Sequence, residues 1–113
     1  MSAEIFDSKV RSLGDLGACF EYDGETAYFY LFDDRRPEGQ KVVDSVYITS
    51  RQLGFEKDDV HVEWGAGETK VGLLVKRQLW AVFDADGKKY GGNYEPGVRP
   101  NIPDAIAQSF RTK

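Results

Sequence analysis

Two β-rich runs, Ala18–Tyr22 and Glu25–Phe32, are separated only by Asp23-Gly24, and this constrains the fold more than any other feature of the chain. An Asp-Gly pair between such runs marks a hairpin, because a type I′ turn needs positive φ at both central residues. A two-residue loop would pair Tyr22 with Glu25, Phe20 with Ala27 and Ala18 with Phe29. Side chains alternate along a strand. One face then carries Ala18, Phe20, Tyr22, Ala27, Phe29 and Leu31, the better core face. The other carries Cys19, Glu21, Thr26, Tyr28, Tyr30 and Phe32. That second face is still aromatic, so something should cover part of it.

The same reading extends along the chain. Lys41–Thr49 is a β-branched run and reads as a strand. Val60, Val62 and Trp64 alternate with Asp59, His61 and Glu63, implying one buried and one wet side. Thr69–Lys76 and Leu79–Asp84 form a further hairpin across Arg77-Gln78. With a two-residue loop, Val71, Leu73, Val75, Trp80 and Val82 share one side, and Gly72, Leu74, Leu79, Ala81 and Phe83 the other. Asp86-Gly87 marks another turn, and 93–100 reads as extended chain broken by prolines. Near the end, Ile102, Ile106 and Phe110 recur at helical spacing behind Pro103 and Asp104, which predicts a short helix over 103–110. Residues 3–13 are ambiguous: Phe6, Val10 and Leu13 have helical spacing, but an extended arm is also open. The predicted fold is mainly β (α+β), a single domain over 1–113. It is an antiparallel meander of five or six strands, strongly curved or partly closed, with a C-terminal helix and a possible N-terminal one.

Several chemistries are excluded. Cys19 is the only cysteine and His61 the only histidine, so neither an internal disulfide nor a zinc cluster of such ligands can form. Around Asp84-Ala85-Asp86-Gly87 an EF-hand would need ligands where Val82 and Asn93 stand. Gly65-Ala66-Gly67 lacks the Lys-Ser/Thr pair of a phosphate loop. No metal and no cofactor is expected. The net charge of −4 and a pI near 5.0 disfavour nucleic acid. No apolar run approaches the ~20 residues of a membrane span, and no secretory leader is read at the N-terminus. The expected setting is the cytoplasm.

Charge is unevenly placed. Residues 12–34 contain no lysine or arginine but carry Asp15, Glu21, Asp23, Glu25, Asp33 and Asp34. Such a segment either solvates a hairpin or steers a basic partner. With the tyrosines beside it, the partner-binding candidates are Glu21, Tyr22, Asp23, Glu25, Tyr28 and Tyr30. This points to a non-catalytic protein-binding module, comparable to an immunity protein or acting as a homodimer. The alternative is a small-molecule-binding or enzymatic domain with a site at the mouth of the curved sheet. Its candidates are His61 and Glu63, which share one side of a strand, with Tyr28 and Tyr30.

The segment Phe20–Tyr30 (FEYDGETAYFY) resembles the opening motif, FEDDGxTGYFYA, of a bacterial family of unknown function. Val62-Glu63-Trp64, Lys70–Val75 and Trp80–Asp84 are similar to its second motif, in which a Trp precedes a strand, a tight turn and a PHAVFDF-like strand. Leu79-Trp80 stands where that family has Pro-His, and Arg77-Gln78 near its Asn-Gly turn. The resemblance implies a bacterial single-domain protein and no particular activity.

Overall fold

The computed structural model describes residues 4–49, 56–92 and 101–110. Eight antiparallel strands form two four-stranded sheets, each in simple chain order. The first sheet contains β1 (Ile5–Val10), β2 (Leu16–Tyr22), β3 (Ala27–Asp33) and β4 (Val42–Thr49). The second contains β5 (Val60–Trp64), β6 (Lys70–Val75), β7 (Gln78–Asp84) and β8 (Lys89–Gly91). A short helix, α1 (Asp104–Ala107), continues into a 3-10 turn at Gln108–Phe110.

The two sheets cover each other. Phe20, Phe29, Leu31 and Ile48 of the first sheet join Val62, Val71, Leu73 and Phe83 of the second in one core, all at most 1% exposed. The rings of Phe29 and Phe83 meet between the layers with centroids 5.3 Å apart. Side chains close both open edges. The Asp7 carboxylate accepts a hydrogen bond from the Val62 amide (2.8 Å), and the Trp64 indole N–H donates to the Lys9 carbonyl (3.1 Å). On the other side, the Lys89 ammonium reaches Asp44 (3.1 Å) and the Ser45 carbonyl (3.3 Å). Such contacts blunt strand edges that would otherwise template aggregation.

This corrects the single curved meander. Among the described residues the strands number eight rather than five or six, and neither sheet is closed or strongly curled. The need for cover inferred from doubly apolar hairpins is met on the inner sides by the opposing sheet. No N-terminal helix forms among the described residues, since residues 5–10 are β1. Phe6 and Val10 are four apart, an even number, so a strand also places them on one side. Strand β4 falls where it was predicted, and the alternation in β5 holds, with Val60 and Val62 buried and His61 exposed. The C-terminal helix forms, and Phe110 packs against Gly72, where an added Cβ would lie 3.0 Å from the Phe110 ring and 2.6 Å from Leu79. The stretch at 93–100 lies outside the described residues.

Two turns differ in register. The first hairpin has a four-residue loop, Asp23–Thr26, so Tyr22 pairs with Ala27 and Phe20 with Phe29. The Asp23 carboxylate accepts from the amides of Glu25 (2.9 Å) and Thr26 (2.8 Å), so the Asp side chain shapes the turn and only Gly24 takes positive φ. A shift of two residues preserves alternation, so the core face stands as read. The second difference has a larger consequence. The loop of the β6–β7 hairpin is Lys76-Arg77, with φ of 51° and 70°, and a bulge lies between the pairs Leu73–Ala81 and Leu74–Leu79. The extra residue, Trp80, reverses the alternation. Ala81 and Phe83, rather than Val82, therefore join Val71 and Leu73 on the inner side. Because Arg77 sits in the left-handed region, Arg77→Gly should raise stability by about 1 kcal/mol. The denaturant midpoint measures it, and a lowered midpoint would contradict this turn.

Candidate functional site

The outer sides of the two sheets differ. On the second sheet, Phe110 packs over Gly72. On the first, the outward side chains of β1–β4 form rows running across the strands. One row is Phe6, Glu21, Tyr28 and Tyr47; the next is Ser8, Cys19, Tyr30 and Ser45; the third is Val10, Gly17, Phe32 and Val42. Phe6 is 55% exposed, Tyr28 36% and Tyr47 39%, too open for core residues of their size. Tyr28 stacks with Tyr30 (6.1 Å) and meets Tyr47 edge-on (5.8 Å). The Phe32 ring lies over Gly17, leaving no room there for a side chain.

Of the sequence candidates, Glu21, Tyr28 and Tyr30 share this face. Asp23 and Glu25 lie in the exposed loop beside it, and Asp23 is occupied in shaping that loop. Tyr22 does not belong to the face: it is 3% exposed, points into the core and donates its hydroxyl to the Gly24 carbonyl (3.0 Å). The sequence reading missed Phe6, because β1 was left ambiguous, and Tyr47, because no side was assigned in β4. The signal for Tyr47 was its position between the buried Val46 and Ile48. His61 and Glu63 lie on the outer side of the second sheet, away from Tyr28 and Tyr30, so the four do not form one site.

The electrostatics of the face are simple. The Tyr30 phenol is held above its ordinary range by burial and, next, by the Glu21 carboxylate. Burial pushes the Cys19 thiol up to about 11, with Glu21 and Asp7 adding to the effect. A thiol so high stays protonated near neutrality and is a poor nucleophile. No group of three or more metal-ligating side chains occurs among the described residues.

The acidic segment is less uniform than its sequence implied. Two arginines just outside it fold back onto one end. Arg11 grips Asp15 through two hydrogen bonds of 2.7 Å, donates to the Glu68 carbonyl and lies 5.8 Å from the Trp64 ring centroid. Arg35 grips Asp33 at 2.9 Å, and Lys41 lies 3.6 Å from Asp34. The Arg11 hydrogen bonds hold the Asp15 carboxyl well below the usual carboxylate range, and those of Arg35 bring Asp33 to about 2. Both pKa values are depressed in the fold. Their stabilisation is therefore full above the unfolded value near ~4 and is lost as pH falls through the folded values. Thermal melts from pH 5 to pH 2 should show the midpoint of Asp15→Asn falling less steeply than that of the wild type. Parallel curves would mean that the Arg11–Asp15 pair does not contribute.

No helix among the described residues is long and apolar enough to cross a membrane. The model of a family described as "Uncharacterized protein conserved in bacteria" (DUF2251) matches residues 2–101. No curated protein and no solved structure matches.

Proposed function

This chain belongs to the bacterial family DUF2251, and we propose that it is a non-catalytic protein-binding module that acts through the outer face of its first sheet. The observation that carries this reading is the make-up of that face. Among its outward positions only Glu21 is charged, while Phe6, Val10, Tyr28, Val42 and Tyr47 are each at least 36% exposed. Interface centres favour aromatic side chains and are depleted in charge, whereas a free surface of this size ordinarily carries several charges. A reducing cytoplasm suits the lone Cys19, which is buried and unpaired.

Capture from the native bacterial lysate tests the proposal with two variants in parallel. Phe6→Ser with Tyr28→Ser should weaken the captured complex at least 30-fold, the scale of a hot-spot loss of about 2 kcal/mol. His61→Ala should leave it unchanged. Retention by the face variant, or capture of nothing specific by the wild type, would reject the reading.

A further inference from the structure

We propose that the occupant of this face is the basic surface of a different protein chain, with an arginine seated beside Glu21 between the Phe6 and Tyr28 side chains. The inference rests on the protein-binding reading above and adds the chemistry of the partner.

Charge is the first argument. At one end of the sheet Asp15, Asp33 and Asp34 are each paired with a cation of this chain. At the other end stand Glu4, Glu21 and Glu25, which make no ion pair among the described residues, with Asp23 beside them. All four gather there because Ile5 pairs with Tyr22 and the Asp23–Thr26 loop follows directly. No lysine or arginine occupies an outward position of β1–β4. Among the described residues, the aromatic face therefore has a negative end with no cation of this chain paired to its glutamates, complementary to a cationic partner. Arginine suits the Glu21 position better than lysine, because a planar guanidinium can fork a carboxylate while stacking on neighbouring rings.

Area is the second argument, and it speaks against a second copy. Four strands at about 4.8 Å span about 19 Å, and the rows with their side chains cover roughly 20 Å the other way, a plan area of roughly 400 Å². Two copies packed through this face alone would bury roughly 800 Å², below the ~1,200 Å² where stable specific interfaces begin. A different chain can extend onto the Asp23–Thr26 loop, where Asp23 and Glu25 continue the same charge.

A random dodecapeptide phage library panned on the folded protein tests this. Peptides are retained for study if the Phe6→Ser, Tyr28→Ser variant fails to bind them. These should be enriched in arginine, lose at least 10-fold in affinity on Glu21→Gln, and weaken as salt is raised from 50 to 300 mM. Circular dichroism checks that Glu21→Gln, a change at an exposed position, leaves the fold intact. Face-dependent peptides without basic residues, or indifferent to Glu21→Gln and salt, would overturn the arginine partner while leaving the binding face standing. Absence of any face-dependent peptide would overturn both. A dimer seen by sedimentation and abolished by Tyr47→Ser would overturn the proposal in favour of a second copy.

Discussion

Phe29→Ala is expected to cost about 3–5 kcal/mol, the range for deleting a fully buried aromatic ring. For a domain whose total stability is on the order of 5–15 kcal/mol, this approaches unfolding. The reason lies in the position of the ring. Phe29 sits on β3, inside the first sheet, is 0% exposed, and meets Phe83 of β7 across the gap between the layers. Strands on both sides hold β3 in place, so the site cannot easily collapse around the void. Phe83→Ala should cost a similar amount. The double variant should cost less than the sum of the two, because the ring–ring contact, worth about 0.5–1.5 kcal/mol beyond burial, is lost only once. Urea unfolding of the four proteins in this cycle measures the coupling. Strict additivity would mean that the two rings do not touch, and with that the face-to-face stacking of the sheets would fail.

The second large effect comes from a residue with no side chain. Gly91→Ala should destabilise by about 2–5 kcal/mol, the sum of a left-handed backbone and an overpacked contact. Gly91 has φ of 80°, and a Cβ there would run into the carbonyl oxygen of Trp80. That carbonyl already accepts the Gly92 amide at 2.8 Å. Gly92, with φ of 96°, lies against Val46 and the Tyr47 carbonyl of the first sheet, an added Cβ falling 2.5 Å from Val46. Gly91 is thus held tight against β7, and Gly92, just past the end of β8, lies close against β4. Thermal melts compare Gly91→Ala with Gly87→Ala. At Gly87, also at positive φ, a Cβ would meet nothing within 4 Å, so the backbone cost alone applies. Equal losses in the two variants would show that the approach to Trp80 is not tight.

The sequence displayed alternation well and the origin of each register poorly. The side chains that β2 and β3 turn inward were legible because the register error at Asp23-Gly24 was two residues, and an even slip leaves every side chain on its side. At β6–β7 the bulge at Trp80 added one residue, and everything towards Asp84 changed sides. Composition does not announce a bulge, since Trp80, Ala81, Val82 and Phe83 are all apolar and all buried in the result. That two sheets rather than one would form was also hidden. Doubly apolar hairpins demand cover without saying what provides it, and the answer depends on contacts between residues more than fifty apart, such as Asp7 with Val62.

The binding face was half legible for the same reasons. Glu21, Tyr28 and Tyr30 follow from alternation beside a recognised turn. Tyr22 has the same residue type but the opposite parity, and the core takes it. Phe6 and Tyr47 join the face only through strand pairings on either side of the hairpin, which local spacing does not specify. The paired aspartates make a related point. A base-free segment in sequence is not a base-free surface, because Arg11 and Arg35 stand just beyond its ends or fold back from within the following loop.

Hydroxyl-radical footprinting of the protein, alone and with its captured partner, tests the central claim most directly, since the label reports on aromatic side chains one by one. The account predicts that Phe6, Tyr28 and Tyr47 are labelled readily in the free protein, that Phe29 and Phe83 are not, and that the partner protects the first three. Unchanged labelling of Phe6, Tyr28 and Tyr47 in the complex, with protection on the outer side of the second sheet instead, would contradict it.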